Sequence, residues 1–333
     1  MKHANISLFV PHMGCPHQCS FCNQKTISGS VKPLTPEEVT STLEKAAEDK
    51  NDPLNTEIAF FGGSFTAIPR DYMISLLEAA KPFIEKGVFN GVRISTRPDA
   101  IDEDVLCILK SYHVKSIELG AQSTDSEVLV LNKRGHTRED ILEASRLIKS
   151  KGFSLGLQMM TGLLGDTDEK TLKTADDIIS LKPDTVRIYP TVVLEGTELG
   201  EKYKKGEYTP QTLGDAVKVC GKLLKKFHDN NIKVIRLGLH SGGNVEEGFI
   251  AGCYHPAFGE LCESAVYLDI IKEMLKGYND EKEFTVFVKP SEISKMTGHK
   301  GCNKQLLLNE GYTITVKGDE SLSKYELKLK GRK

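Results

Sequence analysis

The 333-residue chain carries 44 Lys and Arg against 46 Asp and Glu, a formal net charge of −2. Its length fits one large α/β core with a smaller appendage, since single cores seldom grow past about 250 to 300 residues. The near-neutral balance gives no global electrostatic footprint for nucleic acid or an anionic membrane. The apolar run in the first ten residues is too short for a signal peptide or a spanning helix, so the chain reads as cytoplasmic with no membrane partner.

From residue 5 to about 237, short β-branched or apolar runs alternate with longer amphipathic stretches, the pattern of βα units and a parallel sheet. The expected strands cover 6–10, 57–61, 92–96, 116–119, 154–160, 185–189 and 233–237. The first helix starts at a capping box, with Thr35 as cap, Pro36 in the first turn and Glu38 three residues on. Apolar residues at i, i+3 and i+4 spacing mark further helices around 106–109, 141–148 and 217–227. Six or seven consecutive units predict a partial (β/α)6-type TIM barrel over 1–240, with its site at the C-terminal ends of the strands. After residue 240 the pattern changes to a Gly-rich segment at 241–248, a helix over 260–275, and strands at 283–288 and 312–316. That reads as a small C-terminal α+β cap over 241–333, ending in a lysine-rich stretch at 324–333 that is a basic tail or edge strand, with solvated surface charge the favoured reading.

Cys15, Cys19 and Cys22 form CPHQCSFC, a CxxxCxxC spacing directly after the first strand. Close thiols in a chain of this kind hold metal more often than they form disulfides. Three thiolates on one short loop can hold three irons of a [4Fe-4S] cubane and leave the fourth iron open. The rival is zinc, with His17 completing a Cys3His set, but the spacing has no paired second half. Cys107, Cys220, Cys253, Cys262 and Cys302 lack such spacing and read as packing residues.

The cysteine loop closely resembles that of the radical SAM superfamily, in which the open iron binds S-adenosylmethionine and an electron from the cluster releases a 5′-deoxyadenosyl radical. The resemblance extends along the later strand ends. Phe21 matches the apolar ring that lies near the adenine. FFGGSFT at 60–66 is similar to the glycine motif that holds the methionine amino group, which implies Gly62 and Gly63, supported by Ser64 and Thr66. The segments at 95–99 and 118–123, and the run Arg187-Ile188-Tyr189-Pro190-Thr191, resemble the elongator catalytic subunit and its bacterial radical SAM relatives. Ser95 stands where many relatives carry Glu, leaving one carboxylate contact to the cofactor unfilled. Gln122, Arg134 and Gln158 fall where related enzymes contact the ribose or carboxylate of the cofactor, and a planar guanidinium suits a carboxylate.

The match runs over about residues 5 to 240, and the chain ends where the acetyltransferase domain of that subunit begins, so acetyl transfer is not expected of this chain alone. The resemblance implies a radical SAM enzyme acting on an unidentified substrate, with tRNA modification in view and flavodoxin or ferredoxin as reductant. The alternatives are a relative of oxygen-independent coproporphyrinogen oxidase and a non-enzymatic iron-sulfur or zinc-dependent binding protein. Arg236, His240 and the cluster at 253–260 offer side chains for a substrate, but packing of the cap onto the barrel is the favoured reading.

Overall fold

The computed structural model describes residues 4–10, 15, 18–23, 32–48, 55–239, 244–278 and 281–331. His17, His240 and part of the Gly-rich segment lie outside them. Seven parallel strands form the main sheet: β1 (Ala4–Val10), β2 (Thr56–Gly62), β3 (Gly91–Thr96), β4 (Val114–Gln122), β5 (Ser154–Thr161), β6 (Thr185–Pro190) and, after a short β7 (Val192–Leu194), β8 (Lys233–Leu237). Their order is β1-β2-β3-β4-β5-β6-β8, a curled sheet whose edge strands β1 and β8 do not pair with each other. This is the partial TIM barrel expected, built on seven strands.

The crossovers are helical: α1 (Pro36–Glu48), α2 (Arg70–Glu85), α3 (Glu103–Ser111), α4 (Ser126–Leu131) with α5 (Arg138–Ser150), α6 (Asp168–Ser180), and α7 (Glu198–Lys204) with α8 (Leu213–Asp229). Local chemistry starts them. Thr35 and Glu38 form the predicted reciprocal cap, Glu38 N–H donating to Thr35 Oγ1 at 3.2 Å and Thr35 N–H to Glu38 Oε2 at 2.9 Å. Thr137 and Asp140 repeat the box at α5, while Asp102, Thr167, Thr197 and Thr212 cap α3, α6, α7 and α8.

Strand alternation divides the sheet into two faces. Leu8, Ile58, Phe60, Ile94, Ile117, Leu157 and Ile188 are buried in the core with helix residues such as Leu43, Leu77, Ile148 and Phe227. The opposite parity is largely polar: Glu57, Arg93, Ser95, Ser116, Glu118, Gln158 and Arg187 point inward. These groups satisfy one another. Glu118, 1 % exposed, accepts from Arg187 Nε at 2.6 Å and Nη2 at 3.0 Å, from Arg93 Nη1 at 3.0 Å and from Gln158 Nε2 at 2.9 Å. Arg93 Nε also donates to Glu57 Oε2 at 2.7 Å, and Ser116 Oγ to Glu57 Oε1 at 2.8 Å. Two carboxylates thus meet two guanidiniums with their donors used, the condition under which buried charges are tolerated.

The C-terminal part contains α9 (Phe258–Leu275), β10 (Glu283–Val288), α10 (Cys302–Asn309), β11 (Thr313–Gly318) and β12 (Lys328–Gly331). Strand β10 is central, parallel to β11 and antiparallel to β12. The lysine-rich end contains β12, the edge strand that is one of its two readings from sequence: Lys328 and Lys330 are exposed and Leu329 is half-buried, with Tyr325 and Leu327 buried just before it. A departure is β9 (Phe249–Gly252), which pairs antiparallel with β7 beside the barrel mouth. The core is continuous, with Phe284, Val286 and Ile314 in the same apolar cluster as the barrel helices.

Candidate active site

All three motif cysteines line one cavity of about 340 Å³ at the C-terminal ends of the strands. None forms a disulfide. The segment bearing Cys19 and Cys22 is held by its backbone and by buried Ser20. Ser20 N–H donates to Asn132 O at 3.2 Å, its Oγ donates to Asn132 Oδ1 at 2.8 Å, and its carbonyl accepts from Leu199 N–H at 2.7 Å. Ser20 is thereby fixed to the end of α4 and the start of α7. Cys22 N–H closes a turn onto Cys19 O at 3.1 Å, and Asn23 Nδ2 donates to Glu195 O at 2.9 Å. Neither Ser20 nor Asn132 was singled out from sequence. A serine inside a cysteine motif and an asparagine after a short helix are too ordinary to stand out.

Phe21, Gly62, Gly63, Ser64, Ser95, Gln122, Arg134 and Gln158 line the same cavity. Gly62 has φ +111°, and a Cβ there would sit 2.3 Å from Val10 O. Gly63 N–H donates to that same carbonyl at 3.0 Å. Gly62 is thus required first by the close approach of β1 to the β2 turn, and the Gly63 amide is already engaged. Ser64 Oγ bonds Thr96 Oγ1 at 2.7 Å and accepts from Arg97 N–H at 3.0 Å. Thr66 departs from expectation: it is not among the cavity-lining residues, and its hydroxyl bonds Thr96 Oγ1 and donates to Ala100 O at 2.6 Å. These hydroxyls lock the β2 turn to the end of β3. Ser95 Oγ accepts from Gln158 Nε2 at 3.2 Å, which ties both residues to the Glu118 network.

Arg134 is 7 % exposed. Its Nη1 donates to Cys19 Sγ at 3.0 Å, its Nη2 to Gly120 O at 2.6 Å, and Phe21 lies 6.0 Å from the guanidinium carbon. The nearby Arg97 makes a fork to Asp99 at 2.9 and 2.7 Å. His136, bonded through Nε2 to Ala121 O, is pushed down to about 4 by burial, with the Arg134 charge adding to the effect.

Several buried polar atoms around the cavity have no protein partner: Arg134 Nε, Arg97 Nη1 and Gln122 Oε1. Gln122 is also held at φ +64° where a bulge interrupts the β4–β5 ladder. Backbone in that region at a cavity marks strain retained by its surroundings. A Cβ on Gly120 would lie 3.0 Å from Gln122 Nε2 and 3.4 Å from Arg134 Nη2, so the glycine keeps space beside both. Unpaired cationic donors, an amide acceptor and the rings of Phe9, Phe21 and Phe61 suit a ligand with an anionic end and an apolar plane. S-adenosylmethionine has both, with its carboxylate and its adenine. The opposite wall, with Met160, Pro190, Val192, Leu194 and Leu239, is apolar.

Three cysteines outside any disulfide and lining one cavity, one facing a guanidinium, also fit a cluster. Among the described residues no three Cys, His, Asp or Glu side chains converge as a single ion requires. A cubane distributes its ligands over separate irons and makes no such demand. Of the other cysteines, Cys220, Cys253 and Cys262 are buried in the core, with Cys253 pushed up to about 12 by burial, while Cys107 and Cys302 are exposed. Around them, His255 Nδ1 accepts from Ala257 N–H at 3.0 Å and Phe258 is buried, in keeping with packing. Arg236 is half-buried, its Nε donating to Gly238 O at 3.0 Å.

Residues 9–178 match the radical SAM superfamily, and residues 183–267 match a radical SAM C-terminal domain. The chain belongs to the radical SAM superfamily and is an enzyme of that class, a membership that implies a [4Fe-4S] cluster and S-adenosylmethionine. Among its relatives, the tRNA uridine(34) acetyltransferase of Methanocaldococcus jannaschii is 30% identical over 256 residues, covering 65% of this chain and 47% of that protein. The human Elongator complex protein 3 is 30% identical over 189 residues, covering 50% of this chain and 34% of the relative. The chain therefore spans half or less of the length of these two relatives. The structure of the archaeal Elp3 of Methanocaldococcus infernus superposes with a TM-score of 0.61 at 23% identity, covering 83% of this chain and 64% of that one. Coproporphyrinogen III oxidase from Escherichia coli shares the fold with a TM-score of 0.50 at 16% identity. No helix among the described residues is long and apolar enough to cross a membrane.

Proposed function

We propose that Cys15, Cys19 and Cys22 hold a [4Fe-4S] cluster, that the adjoining cavity binds S-adenosylmethionine, and that the enzyme modifies tRNA. The reading rests above all on the three cysteines sharing a cavity with unpaired Arg134 Nε, Arg97 Nη1 and Gln122 Oε1. When bound, the reduced cluster supplies the electron that cleaves the S–C5′ bond of S-adenosylmethionine to a 5′-deoxyadenosyl radical.

The chain's own contribution is to bind and shield. Arg134 and Gln122 orient the carboxylate and ribose of the cofactor, with Gln158 below them on β5. Gly62 and Gly63 keep the wall low where the methionine amino group approaches, and Ser64 holds that turn from behind. Phe21 gives the adenine an apolar surface and excludes water. The tRNA assignment draws on the relatives named above, with flavodoxin or ferredoxin as the electron donor. Residues 241–333 are assigned as a cap on the 1–240 barrel.

Anaerobic reconstitution followed by dithionite and S-adenosylmethionine tests the reaction. Release of 5′-deoxyadenosine is expected, and its absence from a fully loaded protein overturns the enzyme reading. Transfer of deuterium from labelled bulk tRNA into 5′-deoxyadenosine, or stimulation of cleavage by tRNA, tests the substrate. A response to neither removes tRNA from the proposal.

A further inference from the structure

We propose that Arg134 raises the reduction potential of the cluster by donating a charge-assisted hydrogen bond to the Cys19 thiolate, an inference that rests on Cys19 being a cluster ligand. A buried guanidinium carries a large desolvation cost and normally meets a carboxylate. Among the described residues Arg134 has no carboxylate partner; its two terminal nitrogens go to Cys19 Sγ at 3.0 Å and Gly120 O at 2.6 Å. A neutral thiol is a weak acceptor and offsets little of that cost, whereas a thiolate supplies the missing charge. Arg97 and Arg187, the other guanidiniums lining the cavity, are already paired, with Asp99 and Glu118 respectively.

The contact is built into the backbone. Arg134 N–H donates to Leu129 O at 3.0 Å, and Lys133 and Gly135 on either side have φ of +53° and +71°. A tight turn between α4 and α5 thus aims the side chain, and Ser20 fixes the segment it meets. Cys19 is also the most buried of the three cysteines, so a donor there acts with little screening by water. Reduction adds negative charge to the irons and their sulfurs, so a positive N–H donor stabilises the reduced state more than the oxidised one. Arg134 Nε has no protein partner, so the contact to Cys19 leaves a donor for a cofactor carboxylate.

The test is a potentiometric titration of the reconstituted full chain, followed by electron paramagnetic resonance without S-adenosylmethionine. The midpoint of Arg134→Gln is expected to move to more negative potential at undiminished iron content. Arg97→Gln, which alters the charge of the same wall without touching a thiol, is expected to leave it in place. An unmoved midpoint in Arg134→Gln overturns the proposal, and so does an equal shift in Arg97→Gln, which assigns the effect to general charge. If Arg134→Gln fails to retain iron, Arg134→Met decides: it keeps an unbranched side chain but removes both the charge and the donor, so a more negative midpoint supports the proposal, and an unchanged midpoint or loss of iron in this variant too overturns it. A wild-type chain that takes up no cluster overturns instead the cysteine assignment beneath it, and shows this by its missing chromophore before any titration.

Discussion

Single positions in this site separate packing demands from binding ones. At Gly62, Ala would place a Cβ against Val10 O and force φ +111° on an L-residue; Gly62→Ala is expected to cost about 2 to 3 kcal/mol, read from thermal unfolding. Thr66 and Gln122 divide the same way. Thr66→Val should lose about 1 kcal/mol of stability while S-adenosylmethionine affinity holds, because the Thr66 hydroxyl serves Thr96 and Ala100. Gln122→Ala should weaken cofactor binding, measured by calorimetry on the reconstituted protein. His136 gives a pH signature. Its folded value of about 4 lies below the ordinary 6.5, so the unfolded chain takes up the proton first. Its contribution is complete above pH 6.5 and declines as pH falls toward 4, by about 3 kcal/mol in full. Unfolding measured from pH 7 to 5 should show a shallower decline in His136→Gln than in the wild type.

At the level of elements, the strands were legible because each buries one face and alternates. The runs VRIST, IELGAQ and VRIYP place a charge at the same parity in β3, β4 and β6, which the fold resolves, with Gln158 of β5 between them, into one inward-facing network. Those charges were visible, but their pairing needs the register, since Ser95 lies opposite Glu118 and Gln158 opposite Arg187 only once the sheet is assembled. Removing the shared acceptor leaves both arginines short of a partner. Glu118→Gln is therefore expected to cost about 3 to 5 kcal/mol, checked by chemical denaturation. The short β7–β9 pair was missed for a different reason: three or four residues carry too few alternations. In β12 the lysines of the outward face dominate the composition, so an edge strand ranked behind solvated charge there.

Over the whole molecule, a boundary near residue 240 marks a change of sequence pattern, yet the apolar core runs through it. The α8 helix buries Cys220, Leu223 and Phe227 in the same core as Cys262, Val266 and Tyr267 of α9. Tyr267 in turn accepts from Tyr325 N–H at 2.9 Å and donates to Glu292, while Tyr325 OH donates to Glu263 Oε2 at 2.5 Å. Residues 1–240 expressed alone should consequently aggregate or unfold at much lower temperature than the full chain, as measured by size exclusion and circular dichroism. The anchoring of Ser20 carries a different consequence. Where a metal creates its own fold, loss of the metal unfolds the protein. Here protein hydrogen bonds from Asn132 after α4 and Leu199 in α7 hold Ser20 between Cys19 and Cys22. On the proposed cluster assignment, loss of iron is therefore expected to leave the segment bearing Cys19 and Cys22 in place, and an iron-stripped chain to regain its cluster at unchanged circular dichroism, which would make cluster damage repairable without refolding.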